Sequence, residues 1–195
     1  ILEDNPSFFS LHIGSAAIVM RFASAFFGKG QFVGTQLHKK GSAWIMQQNL
    51  SGPYYQPIAK AQRQRSGEWH KMGPSKRPKS ETQTLQSVVK IREQADGIDV
   101  EIEITGTDGV PVAIELGCQP GARVRGATPI ARGSTAWLMT ADKARISSGN
   151  DHIHLGNGLA NHQWTQLRGA LTKLPGKSLY ATGFTPFRHT LEFRK

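Results

Sequence analysis

The amino-acid sequence predicts an all-β protein, an antiparallel β-sandwich of the jelly-roll or super-sandwich type with about nine to eleven strands. Three observations support this prediction. Short runs alternate apolar and polar residues with the period of two that is typical of half-buried strands. Most of the 21 glycines and 10 prolines lie between these runs, where turns are expected. No pattern alternates strands with helices, so a parallel α/β fold is not predicted.

The clearest strand pair lies in the segment LQSVVKIREQADGIDVEIEITG, which turns at Asp96 and Gly97. On its second arm every other residue is apolar, and Asp99, Glu101 and Glu103 point to the opposite face because side chains alternate along a strand. We therefore expect a half-buried antiparallel strand with an acidic solvent face. The solvent-facing side of this hairpin accounts for most of the acidic residues in this part of the chain, so they do not require a functional role.

The remaining strands are predicted from the same pattern. They fall in the segments SFFSLHIG, AAIVMRFASAFF, GQFVGTQLHKKGSAWIMQQNL, GVPVAIELGC, STAWLMT, ARISSGNDHIHLG and HTLEFRK. None of these runs approaches the roughly 18 apolar residues of a membrane span, so no span is expected. We predict that residues 1–195 form one β-sandwich domain. Within it, residues 59–84 form a long basic loop that is nearly free of aliphatic side chains.

The net charge of +10 is unevenly distributed along the chain. Residues 60–79 hold seven Lys and Arg against one acid, whereas residues 88–116 hold seven acids against two bases. A basic surface favours an anionic partner, which can be an acidic polysaccharide, a nucleic acid or an acidic protein surface. The sequence contains no helix-turn-helix, zinc-finger or RNP-type pattern, so nucleic acid is a less favoured partner.

Two histidines in the segment DHIHL form a candidate metal site. His152 and His154 fall on one face of a strand about 7 Å apart, and His162 supplies a third ligand if the following turn folds back. Asp151 points to the opposite face. The favoured alternative is that these histidines are solvated or hydrogen-bonded, because the spacing motif is short. Apart from a structural divalent metal held by His152 and His154, no cofactor is expected.

The segment NHQWTQLRG combines an aromatic ring with amides and a cation. His162, Trp164, Gln166 and Arg168 form the first candidate ligand-binding face. An aromatic ring surrounded by a few polar groups is a common composition of ligand sites. Arg168 can hold a carboxylate or a sulfate with two parallel hydrogen bonds. The alternative places Trp164 and Leu167 in the core, with their polar neighbours facing outward.

A second candidate ligand-binding face involves Tyr54, Tyr55 and Trp69. The two tyrosines lie between prolines, where an extended backbone points them to opposite sides. Trp69 lies at the centre of the basic loop, which is either mobile or a partner-binding segment. The segment GARVRGATPIARG also places Arg123 and Arg125 on one strand face, which is either an anion site or an ordinary solvated surface.

The sequence does not predict an enzyme that acts alone. Its single cysteine, Cys118, excludes an internal disulfide and a cysteine-based zinc site, and no nearby histidine supports a catalytic thiol. Carboxylates are sparse outside the acidic hairpin, although glycoside hydrolysis normally needs two. No GxSxG element is present. The His, Tyr and Arg side chains that a polysaccharide lyase uses are present, so participation in the active site of a larger lyase or hydrolase stays open.

Three segments in the second half of the chain each combine a turn, a strand and a further turn. They are GTDGVPVAIELGCQPGA, STAWLMTADKARISSGNDHIHLGNG and GFTPFRHTLEFRK. They resemble the C-terminal β-sandwich of bacterial multidomain polysaccharide-degrading proteins such as the heparinase II/III-like and related uronate lyases. In such proteins an α-helical toroid usually precedes the sandwich and shares the cleft. The resemblance implies an acidic polysaccharide ligand, an upstream domain of the same polypeptide, and histidines that hold a structural metal in some members.

Residues and resemblance together predict an accessory β-sandwich domain of a bacterial polysaccharide-processing protein, which helps to bind an acidic polysaccharide. The chain opens with ILEDNPSFF, without a Met or a signal-peptide pattern. We therefore expect an interior piece of a longer protein. The resemblance implies that this protein is exported and acts in the periplasm, at the cell surface or outside the cell. The alternatives are a structural domain with no ligand of its own and a nucleic-acid-binding basic domain.

Overall fold

Two β-sheets pack face to face in the computed structural model, which describes residues 6–195. The strands of this described part are β1 (Phe9–Ile13), β2 (Ala16–Ser24), β3 (Gln36–Lys40), β4 (Ala43–Tyr55), β5 (Lys79–Gln94), β6 (Gly97–Gly106), β7 (Pro111–Cys118), β8 (Arg123–Arg125), β9 (Thr128–Pro129), β10 (Ala136–Leu138), β11 (Lys143–Ser148), β12 (Asp151–Gly156), β13 (Ser178–Phe184) and β14 (Phe187–Arg194). Sheet A has the order β1-β2-β7-β13-β10-β9, and sheet B has the order β3-β4-β5-β6-β14-β12-β11-β8.

Neighbouring strands run antiparallel in both sheets, apart from β10, which pairs parallel to β13. The predicted all-β antiparallel sandwich is therefore confirmed. The described residues form 14 strands, more than the about nine to eleven expected. The difference arises in part because β8, β9 and β10 contain three residues or fewer.

The main core lies between the two sheets. Ile18, Met20 and Phe22 point inward from sheet A, and Ile102 and Ile104 point inward from sheet B, each at most 2% exposed. Burying a side chain of this size contributes roughly 1.5–3 kcal/mol. The period-two alternation that predicted these strands therefore marks the faces that pack on the core.

Strand β13 is the main element that the sequence pattern missed. Its segment SLYATGF shows no alternation because both of its faces are covered. Leu179 and Ala181 pack into the core between the sheets, whereas Tyr180 packs into a second apolar cluster on the outer side of sheet A. This strand lies between β7 and β10 and is central to sheet A.

The acidic face predicted for β6 requires a correction. Its carboxylates point away from the core, but Glu101 is only 6% exposed. Lys90 and Arg92 of β5 each lie 3.1 Å from a Glu101 oxygen, and Arg188 of β14 lies 3.0 Å away. Burial favours the protonated form of Glu101, but the hydrogen bonds from Arg92 and Lys90 outweigh it and lower the pKa. The centre of this face is an ion-pair network and not a solvated acidic surface.

The basic loop between β4 and β5 is shorter than predicted. It spans residues 56–78 and contains short 3₁₀ turns at Lys60–Gln62, Trp69–Met72 and Pro74–Lys76. Residues 79–84 were expected in the loop but begin β5, because they pair with the end of β4. They are almost all exposed, so no apolar alternation marked them as a strand. Across the described residues, no helix has the length and apolar character that crossing a membrane requires.

Residues 157–177, which connect β12 to β13, cover part of the outer face of sheet A, and we call them the covering segment. Leu167 from this segment packs against Tyr180 and Leu138 of sheet A in the second apolar cluster. Sheet A is therefore covered on both sides over part of its area. This layer brings the segment NHQWTQLRG onto the outer surface of the sandwich.

A buried ion pair anchors the covering segment to sheet A. The Nε of Arg21 on β2 lies 2.7 Å from the carboxylate of Glu115 on β7, and both side chains are 7% exposed. Arg21 also donates to the backbone carbonyl of Thr172. Glu115 accepts the backbone N–H of Leu174 at 2.9 Å and the hydroxyl of Ser178 at 2.7 Å. The end of the covering segment is thus tied to one ion pair.

Candidate ligand-binding site

The covering segment presents an exposed aromatic platform, which consists of His162, Trp164 and Phe184. The Trp164 ring stacks on His162 with ring centroids 5.1 Å apart and planes inclined by 28°. Phe184, the last residue of β13, lies edge-on to both rings, at 5.0 Å from His162 and 6.1 Å from Trp164. Trp164 is 57% exposed, whereas Leu167 is 6% exposed. Of the two alternatives for this segment, Leu167 therefore lies in a core and Trp164 lies at the surface.

His162 is the buried support of this platform. Its Nδ1 accepts the backbone N–H of Trp164 at 3.2 Å, so the proton of the neutral ring lies on Nε2. That nitrogen faces the backbone carbonyls of Val112 and Gly183 at 3.1 and 3.0 Å. Because the chain occupies both ring nitrogens, we assign His162 to positioning Trp164 and not to contacting a ligand.

Burial fixes the charge state of His162. It lowers the pKa of the ring and outweighs the carbonyls of Gly183 and Val112, which favour the protonated form. The hydroxyl of Thr182 on β13 donates to the His162 carbonyl at 2.7 Å and accepts the His162 N–H at 3.2 Å. The neutral ring of His162, whose backbone N–H and carbonyl are both hydrogen-bonded to Thr182, therefore sets the position of Trp164.

The other two residues predicted for this face differ in their contacts. The side-chain amide of Gln166 donates to the carbonyl of Leu171 at 3.0 Å, which closes the covering segment on itself. Arg168 is exposed and forms no ion pair with any residue that the structure describes. Such a guanidinium can bind a carboxylate or a sulfate. Trp164, Gln166 and Arg168 are all exposed, so a ligand can reach each of them.

The second predicted face forms around Arg77, which the sequence did not single out. Its guanidinium lies over the Tyr55 ring at 4.6 Å and over the Trp69 ring at 5.0 Å. The ammonium group of Lys79 lies 5.6 Å from the Tyr55 ring. Contacts of this kind contribute about 0.5–1 kcal/mol each at exposed sites. The structure therefore brings Tyr55 and Trp69 together, and Trp69 stays 53% exposed.

Tyr54 differs from its neighbour in exposure. It is 51% exposed and pairs with Glu81, whereas Tyr55 is half-buried and follows an irregularity in the strand register. The two tyrosines therefore do not share one environment. Among the described residues, no ring contact joins the Tyr55–Arg77–Trp69 cluster to the Trp164 platform. The cluster extends from β4 of sheet B into the basic loop, whereas the platform lies on the outer side of sheet A, so we treat them as two surfaces.

The candidate metal histidines lie on the outer face of sheet B. His152 and His154 are neighbours, with ring centroids 4.8 Å apart. In the part of the chain that the structure describes, no three His, Cys, Asp or Glu side chains form a group that could hold a metal. His162 does not approach the pair, because it is bonded beneath the platform on sheet A. Asp151 faces the other way, as expected, and accepts hydrogen bonds from Ser15.

Cys118 is buried at the end of β7, and burial raises the pKa of its thiol to about 12. The nucleophilic form of a cysteine is the thiolate. Cys118 is therefore protonated at neutral pH and packs in the main core. This position agrees with its interpretation as a small apolar residue at a strand end.

Sequence reasoning missed Phe184, Arg77 and the alignment of Arg145 with Arg123 and Arg125. Pairing between β8 and β11, which are not consecutive, brings these three arginines together. No local pattern links Phe184 to Trp164, because β13 was not recognised as a strand. For Arg77, the available signal was a basic residue beside a proline at the end of a loop that contains a tryptophan.

Comparisons with models of known protein families, with curated proteins and with solved structures found no significant match for this chain. A β-sandwich hosts many unrelated functions, so the fold alone does not identify one. A functional proposal for this chain therefore depends on the chemistry of its surfaces.

Proposed function

We propose that this chain is an accessory β-sandwich domain that binds an acidic polysaccharide through the Trp164 platform. The observation that carries the proposal is the exposed indole of Trp164, which stacks on a buried His162 whose two ring nitrogens are both hydrogen-bonded. An exposed tryptophan that is merely tolerated at a surface does not need such a support. The support gives the ring a fixed orientation.

An oriented indole suits the apolar face of a sugar ring. The C–H groups of a pyranose pack against an aromatic plane, while its hydroxyl groups need hydrogen-bonding partners at the edge of that plane. Trp164 offers its open side to such a ring, since its inner side lies on His162. Because the indole ring is already ordered, binding of a sugar costs little side-chain conformational entropy.

The charges favour an acidic polysaccharide over a neutral one. Arg168 follows Trp164 by four residues in the covering segment and has a guanidinium that is exposed. A guanidinium binds carboxylate or sulfate with two parallel hydrogen bonds. The net charge of +10 also attracts a polyanion over a longer range and increases the rate of association.

The Tyr55–Arg77–Trp69 cluster supports the same proposal as a second contact region. Arg77 and Trp69 of this cluster lie in the basic loop, which carries further exposed cations on both sides of Trp69 in the sequence. Those cations are Lys60, Arg63, Arg65, Lys71 and Lys76. An extended polymer can contact two surfaces of one domain, which is the geometry of a domain that extends or completes a binding cleft in a larger polysaccharide-processing protein.

Affinity electrophoresis tests the proposal. Gels that contain a sulfated glycan, a uronate polysaccharide or a neutral glucan should retard the wild-type protein only in the first two cases. Trp164→Ala should lose most of this retardation. Trp44→Ala is the matched control, because Trp44 is 44% exposed but lies on β4, outside both surfaces.

Two outcomes would overturn the proposal. If the wild-type protein is not retarded in either acidic gel, the domain does not bind acidic polysaccharides, and the alternative of a purely structural domain is supported. Retardation that Trp164→Ala and Trp44→Ala reduce equally would exclude the platform as the site. Binding to DNA of arbitrary sequence that falls steeply with salt and does not depend on Trp164 would instead support the nucleic-acid alternative.

A further inference from the structure

A basic depression of about 160 Å³ lies on the outer face of sheet B, at its β8 edge. Arg123 and Arg125 of β8, Arg145 and Ser147 of β11, and Gly149 in the next turn line it. The strand register explains the arrangement, because Arg145 lies opposite Arg125 and Ser147 lies opposite Arg123. Directly paired residues share a face of the sheet. The depression is on the other side of the sandwich from the Trp164 platform.

The cations of this depression are not neutralised by the chain. Arg125 and Arg145 face each other across the strands, and like charges in this position destabilise a sheet. Neither of them, nor Arg123, forms an ion pair with any residue between 6 and 195. Lys143 adds a further exposed cation on β11. The arrangement therefore concentrates positive charge that a bound anion would neutralise.

The charged residues that β5, β6 and β14 place on the same face are paired. Glu101 is surrounded by cations of β5 and β14. Arg194 of β14 lies 2.8 Å from Asp99 and 3.3 Å from Glu192. The arginines of β8 and β11 thus differ from the charged residues of these neighbouring strands, because they form no ion pairs within the described part of the chain. A departure that concentrates one charge in a depression indicates an external partner of the opposite charge.

Two histidines of β12 border the depression. His152 lies opposite Ser147, and His154 lies opposite Arg145. The Nδ1 atom of His152 is buried and has no hydrogen-bond partner among the described residues. A buried polar atom of this kind requires an explanation, and a bound ligand is one. The pKa of His154 is lowered by burial and by the positive charges of His152, Arg145 and Lys143.

We infer that this depression, which we call the arginine site, binds a tetrahedral oxyanion, the sulfate or phosphate ester group of an anionic polymer. One guanidinium can satisfy both oxygens of a carboxylate. Arg123, Arg125 and Arg145, together with the hydroxyl of Ser147, offer more donors than that. They match the three terminal oxygens of a sulfate or phosphate ester. The inference is independent of Trp164, so the two proposals can fail separately.

An NMR titration with inorganic sulfate, and a second one with inorganic phosphate, tests the inference at constant ionic strength. We expect saturable shifts in the amides of β8 and β11 and a rise in the pKa of His154, because a bound anion favours its protonated form. Arg194 also lies opposite His154, and it is paired with the carboxylates of Asp99 and Glu192. Trp164→Ala should bind both ions as the wild type does.

Arg145→Ala should weaken sulfate binding about tenfold or more, as expected for the loss of hydrogen bonds to a charged group. Arg132→Ala is the matched control, since it removes the same charge from an exposed arginine between β9 and β10, outside the depression. Sulfate should also raise the Tm of the wild type and of Arg132→Ala by more than that of Arg145→Ala, in which only the general stabilising effect of this salt remains. This second measurement does not depend on resonance assignments.

Shifts that do not saturate, or equal losses in Arg145→Ala and Arg132→Ala, would overturn the inference. Displacement of bound sulfate by a polymer identifies the source of the oxyanion. Stronger displacement by a sulfated glycan than by a phosphorylated glycan of the same charge assigns the site to sulfate esters, and the reverse order assigns it to phosphate esters. Equally strong displacement by a carboxylated glycan of the same charge would contradict a site for a tetrahedral group.

Discussion

The backbone N–H of Trp164 donates a hydrogen bond of 3.2 Å to Nδ1 of His162, and the two rings stack at 5.1 Å. The bond fixes the backbone at Trp164, and the stack fixes its side chain. Both contacts come from one buried ring, whose Nε2 is bonded to carbonyls of β7 and β13. The geometry of the exposed platform therefore depends on a neutral His162.

His162→Phe should separate the stack from the hydrogen bonds. The new ring can still pack beneath Trp164, but the N–H of Trp164 and the carbonyls of Val112 and Gly183 lose their partner. We expect a loss of about 1–3 kcal/mol in the free energy of unfolding, as for buried groups left without a partner. Urea denaturation measures it. Trp164→Ala, a change at an exposed position, should stay within about 0.5 kcal/mol of the wild type. Equal stability of His162→Phe and the wild type would show that the bonds contribute nothing.

Acid should weaken the fold through the same histidine. The unfolded chain binds a proton near the ordinary histidine pKa of 6.5, whereas burial keeps His162 neutral to lower pH in the folded protein. Stability therefore falls as the pH decreases from 6.5 through the lowered pKa. His154 and His189, whose pKa values burial also lowers, add to this dependence. Urea denaturation at about pH 7.5 and about pH 5.5 should show a smaller decrease for His162→Phe than for the wild type. An identical decrease would contradict the role of His162.

Glu115→Ala should cost about 3–5 kcal/mol of stability, because it leaves the buried guanidinium of Arg21 without its counter-charge. The covering segment should become mobile, since Leu174 and Ser178 lose their acceptor. Hydrogen exchange of residues 157–177 measures this effect. The double variant Arg21→Met with Glu115→Leu should recover part of the stability, because no buried charge remains. A double variant less stable than Glu115→Ala would contradict this assignment.

Glu101→Gln should flatten the acid side of the stability profile. Its folded pKa lies below the ordinary value of 4.5, so Glu101 stabilises the fold above that pH and the contribution disappears as the pH decreases through the folded pKa. At neutral pH we expect a loss of about 1–3 kcal/mol. Glu103→Gln is the control, since Glu103 is more exposed and forms one longer contact with Lys90 at 3.6 Å. Similar profiles of stability against pH for the two variants would show that the ion pairs of Glu101 do not stabilise the fold more than the single contact of Glu103 does.

The alternation of residues was clearest in the strands that are covered on one side only. It identified β6, where apolar and acidic residues alternate, and the turns that follow Lys40 and Gln94 lie where glycine and aspartate predicted them. It failed for β13, because the main core covers one face of that strand and the covering segment covers the other. It also failed at the start of β5, where neither face is buried.

For the candidate surfaces, too, the sequence predicted some features and missed others. The composition of NHQWTQLRG located Trp164, but it did not show that His162 supports the ring from below. That arrangement depends on carbonyls of β7 and β13, which are distant in sequence. The contact of Arg77 with Tyr55 and Trp69 depends on the fold of the basic loop. Side-chain types are visible in a sequence, whereas the register and crossings that bring them together are not.

The most direct test of the central proposal is the affinity of a sulfated or uronate glycan for the wild type, Trp164→Ala and Trp44→Ala, measured by calorimetry at one ionic strength. The proposal predicts binding by the wild type, a loss of about tenfold or more in Trp164→Ala, and no change in Trp44→Ala. Equal affinity of all three proteins for the glycan would contradict it.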